Sequence, residues 1–138
     1  MKKLVVILML ILASCSSKYK TDNFQAPSQP LSSSRTAYVM MARDGYYGAK
    51  TYAGSGRTVS QNLHSAISVH LSKSELAQTT ESLDQALAKA RAMAAAYLFD
   101  PMILNWEDRA TQWSGRPDRI SIKITVWDAA SGKKPRRR

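Results

Sequence analysis

The sequence predicts an α/β fold, an α+β sandwich in which two helices pack on a small mixed sheet in the order strand, helix, strand, helix, strand, strand. Three observations carry that expectation. Ile120, Ile122, Ile124 and Val126 alternate with Ser121, Lys123, Thr125 and Trp127, the period-two pattern of a strand with one buried face. Thr58-Val59-Ser60-Gln61 and Ser82-Leu83-Asp84-Gln85 each have the spacing of a capping box ahead of an apolar stripe of helical period. The chain from residue 15 onward is long enough for one core and too short for two, so a single domain is expected.

Taken in order, Ala37-Tyr38-Val39-Met40-Met41-Ala42 is the short apolar run of a buried strand. A loop with Gly45, Gly48, Gly54 and Gly56 follows. Val59, Leu63, Ala66, Ile67 and His70 then share one helical face, and a short strand is expected around Leu76 to Thr79. Leu83, Ala86, Leu87, Ala90 and Ala94 form the narrow stripe of the second helix, whose alanines permit close packing on a sheet. Tyr97 to Trp106 reads as a strand in which Pro101 removes a ladder donor and implies an edge or a bulge. Residues 113 to 118, WSGRPD, read as a hairpin loop into the last strand. Asp128 to Lys133 resembles a second hairpin turn, but proline and three arginines follow and cannot supply a return strand. That return strand is therefore expected to be missing, in a shortened copy, leaving the last strand with an open edge.

The start of the chain places the protein. Lys2 and Lys3, the apolar run Leu4 to Leu12, and the small residues Ala13 and Ser14 have the three parts of a secretory signal. Nine apolar residues span less than half of a bilayer core of ~30 Å, so the run is not a membrane-spanning helix. Leu12-Ala13-Ser14-Cys15 resembles the bacterial lipobox. That resemblance implies cleavage after Ser14 and a diacylglyceryl group on the sulfur of Cys15, with acylation of the new amino terminus. Two or more acyl chains hold a protein at a membrane durably. By resemblance to sorting signals, Ser16 favours the outer membrane, with the inner membrane as the alternative. The expected divisions are a signal at 1–14, a lipidated cysteine and Ser/Pro-rich linker at 15–36, one domain at 37–132 and a basic tail at 133–138.

The formal net charge of +10 suggests nucleic acid, but its distribution argues otherwise. Without Lys2 and Lys3 there are 18 basic side chains against 10 acidic ones, and five of the 18 lie in the last six residues. The basic-patch criterion is met by the tail alone, so no nucleic-acid partner is expected of an exported protein. Cys15 is the only cysteine, so the fold must hold by its core without a disulfide.

Candidate sites are few. Gly54-Ser55-Gly56-Arg57-Thr58 precedes a helix, so its amides and Arg57 are a possible anion site, although glycines that merely let the chain turn into a helix explain it as well. His64 and His70 lie six apart, roughly 240° from alignment on a helix, and cannot share a metal; His70 reads as a satisfied core residue. Adjacent Glu107 and Asp108 face opposite sides of a strand and are expected to pair with Arg109, Arg116 and Arg119 across the hairpin. Trp106, Trp113 and Trp127, with Arg116 and Arg119, have the composition of a protein-binding surface. Ser114 lacks a nucleophile elbow, and no catalytic residue, cofactor or metal site is expected.

The lipobox, the stretch AYVMMARDGYYGAKTYAGSGRTVSQNL and the run ILNWEDRATQWSGRPDRISIKITVWDAASGK together resemble the YafY/YfjS type of uncharacterised bacterial lipoprotein. The strand and helix layout is more distantly similar to the periplasmic domain of the curli-export lipoprotein CsgG and the amino-terminal domain of TolB. The resemblance implies no activity; the lipobox with the tryptophan hairpin or the open sheet edge points to a lipid-anchored, periplasm-facing protein that binds a protein or another envelope component, with self-association through that edge as one form. An anion-binding protein or small enzyme using the 54–58 loop, and a remnant without present function, are the alternatives.

Overall fold

The computed structural model describes residues 20–21, 24–25, 30–108 and 118–134. Strands β1 (Thr36–Val39), β4 (Lys73–Leu76), β5 (Tyr97–Glu107) and β6 (Arg119–Asp128) form a four-stranded sheet in the order β4-β1-β5-β6. The first three run parallel and β6 is antiparallel to β5, so the sheet is mixed. Helices α1 (Ser55–Ser68) and α2 (Leu83–Ala92) are the two crossovers. A second, two-stranded sheet, β2 (Tyr46–Tyr47) with β3 (Lys50–Thr51), interrupts the expected glycine loop. The predicted α+β class and element order hold, with this small hairpin added.

Two apolar layers flank the sheet. Ala37, Val39 and Phe99 are buried on one face beneath Leu63 and Ile67 of α1, with Leu31 and Val126 at the margin. Tyr38, Met40 and Leu98 are buried on the other face against Ala86, Leu87 and Ala90 of α2, with Trp127 packed beside them. The capping box at Ser82 and Gln85 forms in full and sets the start of α2. Ahead of it, Glu81 lies almost wholly buried and pairs with Lys89. Burial, and then that carboxylate, hold the Tyr38 phenol well above its usual range. The linker expected to run to Thr36 is already part of the domain at Leu31, and the Ser32 amide donates to the Tyr97 hydroxyl at 2.9 Å.

Several local expectations shift. Strand β4 lies three residues earlier than its single apolar marker suggested, because its register is set by pairing with β1, Val39 opposite Leu76. Helix α1 begins at Ser55, so Thr58 and Gln61 sit inside it and the Thr58 hydroxyl donates to the Gly54 carbonyl at 3.1 Å instead of capping. The helix ends at Ser68, which leaves His70 exposed beyond it and not on its apolar face. Pro101 lies in an interior strand, yet it breaks no ladder: the missing N–H falls on the β1 side, past the last pairing of β1 at Phe99. The bulge comes later, between Ile103 and Asn105. The isoleucines of β6 were expected to be buried, but Ile120, Ile122 and Ile124 are 48%, 45% and 50% exposed, because neither helix extends over that end of the sheet. After Asp128 the chain turns and makes one bridge, Asp128 to Lys133, and among the described residues no return strand follows. Nor is any helix among them long and apolar enough to cross a membrane.

Helix α1 seats its first turn directly on the chain leaving β1. A Cβ on Gly56 would stand 2.2 Å from the Ala42 carbonyl oxygen, inside any permitted contact with a backbone atom. Gly56→Ala is therefore expected to lower the stability to urea by about 3 kcal/mol, the upper range for overpacking. Gly48→Ala, at φ +58 with open space around it, should cost only about 1 kcal/mol from its left-handed backbone. Equal costs for the two would show that the Gly56 contact is not tight.

Candidate functional site

At the 54–58 segment, the candidate anion site, the amides of Gly54 and Gly56 are met by a carboxylate of the chain itself. The Asp44 carboxylate accepts from the Gly56 amide at 2.8 Å and from the Gly54 amide at 3.1 Å. Asp44 thus does the work of an N-cap side chain from ten residues away, where Gly54 has none to offer. The Ser55 hydroxyl accepts from the Gly45 amide and the Ser60 hydroxyl from the Ala42 amide, both at 2.8 Å and both buried. Arg57 and Thr58 are exposed on the outer side of this turn. These glycines build a junction, since the amides they offer are already satisfied.

Beside that junction lies an open groove of about 480 Å³ lined by Lys50, Thr51, Tyr52, Gly54, Thr58 and Trp106. Tyr52 stacks on Trp106 with ring centroids 5.2 Å apart and planes 25° from parallel. Lys50 lies over the Tyr52 ring, its Nζ 4.6 Å from the centroid. Asp108 closes the group by accepting from the Tyr52 hydroxyl at 2.7 Å and from Lys50 Nζ at 3.2 Å. Those two bonds, the tyrosine's first, hold the Asp108 carboxyl below its usual range. Behind Trp106, Gly45 passes so close that a Cβ there would meet the indole at 3.1 Å. The structure therefore joins two features that the sequence kept apart, Trp106 and the 54–58 turn.

The expected tryptophan cluster does not form among the described residues. Trp106 pairs with Ile120 and so shares the α1 face, whereas Trp127 packs on the α2 face with its indole nitrogen buried and unpartnered. Trp113, Arg116 and Arg109 lie outside the described residues, as does Cys15. Arg119 stands opposite Glu107 in the ladder, the cross-strand placement expected of it. Among the described residues, the partners of Asp108 are Lys50 and Tyr52 of the neighbouring excursion. His64 ties α1 to β4, its Nε2 lying 3.0 Å from the Ser74 hydroxyl. What the tryptophans were expected to supply, an exposed apolar surface, is supplied by aliphatic residues. Met102, Leu104, Ile120, Ile122 and Ile124 are between 45% and 58% exposed along the β5–β6 hairpin.

A family model described as a domain of unknown function, DUF4823, matches residues 29–134. The chain belongs to the DUF4823 family. No curated protein matches it. Among solved structures it is similar to PelC dodecamers from Paraburkholderia phytofirmans. A point variant aligns with a TM-score of 0.61 at 13% identity over 80% of this chain and 72% of that one. A second PelC dodecamer aligns with a TM-score of 0.58 at 13% identity over 80% and 71%. At that identity the likeness is one of fold.

In this DUF4823 domain the residues that sequence reasoning missed are Asp44, Lys50 and Tyr52. Tyr46-Tyr47 and Lys50-Thr51 around Gly48 were the available signal of a hairpin that would bring them onto β5. Because the folded Asp108 pKa is depressed, its contribution is present above the ordinary carboxylate range and is lost as pH falls through the folded value. Trp106 fluorescence is expected to change in that acid window as Tyr52 is released. The change should be absent in Asp108→Asn; an identical acid transition in that variant would dissociate it from Asp108.

Proposed function

We propose that the protein is a lipid-anchored module facing the periplasm that works by assembling with protein, further copies of itself included, through the β5–β6 hairpin. The observation that carries this reading is the row of half-exposed isoleucines, Ile120, Ile122 and Ile124, on one face of the hairpin, with Met102 and Leu104 exposed on its far side. Fully burying one such side chain contributes roughly 1.5–3 kcal/mol, so covering the three half-exposed isoleucines favours association. A contiguous exposed apolar row of this kind has the composition of an interaction site. The PelC structures of the same fold are dodecamers, which supports association with like copies.

The lipobox resemblance at Leu12 to Cys15 and the likeness to YafY/YfjS lipoproteins support the anchor, and Ser16 supports the outer membrane. Anchoring confines copies to a surface and raises their effective concentration, so a modest interface suffices. The reading contains no catalytic step. The anion-binding alternative is less favoured because Asp44 already occupies the amides of Gly54 and Gly56.

Two measurements test it. Cys15→Ser is expected to move the protein from the membrane fraction to the soluble fraction of the envelope; unchanged membrane attachment refutes the anchor. In detergent, the full chain is expected to sediment as an oligomer or with a co-purifying partner. The double replacement of Ile120 and Ile124 by threonine should weaken that association about tenfold or more, equivalent to 1.4 kcal/mol. A folded parent chain that sediments alone as a monomer defeats the association reading.

A further inference from the structure

We propose that two copies pair edge to edge through β6, antiparallel about a twofold axis at Ile122, so that two four-stranded sheets become one of eight strands. This rests on the association reading above and specifies its surface and register.

The sheet has two edges, and they differ. Strand β4 is four residues long and carries the exposed ion pair Lys73–Glu75, a short charged edge of the kind that resists pairing. Strand β6 has ten residues, and among the described residues its outer side is paired only at Asp128, by Lys133. The Asp128 amide donates outward to the Lys133 carbonyl, while the Ala129 amide donates inward to Ala96. Backbone groups alternate along a strand, so the N–H and C=O of Ile120, Ile122 and Ile124 face the open edge.

The register follows from side chains. Antiparallel pairing of β6 with itself can match more than one pair of isoleucines about three centres. About Ser121, Arg119 stands opposite Lys123; about Lys123, that lysine stands opposite itself. Both set like charges directly across from each other, which is destabilising. About Ile122, Lys123 faces Ser121, Arg119 faces Thr125, and Ile120 faces Ile124, with Ile122 opposite its own copy. Six isoleucines then form one continuous row on a single face, and the open-edge groups of Ile120, Ile122 and Ile124 meet as hydrogen-bonded pairs.

Cysteine scanning of the full chain in its own membrane, under mild oxidation, tests the register. Directly opposed residues of a hydrogen-bonded pair have Cα atoms about 5.5 Å apart, within disulfide reach, whereas positions offset by four residues stand more than about 7 Å apart and cannot bridge. Ile122→Cys is expected to give about tenfold more covalent dimer than Ile120→Cys or Ile124→Cys, and combining the last two should restore it. The chain without an added cysteine is the baseline, and unchanged urea midpoints verify folding. If the protein sediments as an oligomer but cross-linking peaks at position 121 or 123, or joins β6 to a cysteine at Ser74, the register is overturned and the association reading stands. If the protein is monomeric and no position cross-links above baseline, both fall.

Discussion

The approach of Gly56 to the Ala42 carbonyl fixes where α1 lies, and much of the rest of the molecule depends on that position. Four contacts converge there: the Gly56 backbone on Ala42, the Ser60 and Ser55 hydroxyls on the Ala42 and Gly45 amides, and the Asp44 carboxylate on the helix amides. The two serine hydroxyls satisfy backbone amides that would otherwise be buried without a partner as the chain leaves β1, and the carboxylate satisfies the first amides of the helix. The geometry is therefore over-determined. Between β1 and α1 the chain has no room except to loop outward, and that excursion forms the β2–β3 hairpin. The hairpin in turn carries Lys50 and Tyr52 onto Trp106, so the aromatic groove is a consequence of how the helix is seated.

The same arrangement divides the sheet into a covered and an uncovered part. Strand β1 has four residues, while β5 and β6 have eleven and ten. At ~3.3 Å per residue, the hairpin continues for roughly 25 Å past the last pair of β1 at Phe99. Helices α1 and α2 are crossovers anchored to β1, so their apolar faces serve Val39, Phe99, Tyr38 and Leu98 and reach little further. Over the far end of β5 the 43–54 excursion supplies some cover, packing Gly45 on Ile103 and Trp106. Nothing described plays that part for β6. Its isoleucines have the pattern of a buried strand in a place where this chain provides no lid.

That difference explains which features were legible in the sequence. The order of elements, the second capping box and the β5–β6 hairpin follow from local periodicity and turn chemistry, which act within a few residues. The start of α1 did not, because its cap is Asp44, ten residues upstream, and the tempting Thr58–Gln61 signature fell inside the helix. The alternation in Ile120 to Val126 gave the strand correctly and its burial incorrectly. Period two reports that one face is apolar; only the lengths of the neighbouring elements decide whether anything covers it. The groove was invisible for a related reason, since Tyr52, Trp106 and Asp108 meet through tertiary contacts at sequence separations above fifty.

An uncovered apolar edge of this length is a hazard unless pairing along it ends by itself. Pairing of β6 with β6 is self-complementary, so one partner uses up the edge on both molecules and a closed unit results. Further growth along the sheet would have to use β4, which is short and bears Lys73 and Glu75. The bulge between Ile103 and Asn105 adds twist to the hairpin and limits how long a flat ladder can run. A larger ring would then require a second, different contact between such pairs, and the far side of the hairpin, where Met102 and Leu104 are exposed, is the apolar surface left to provide it.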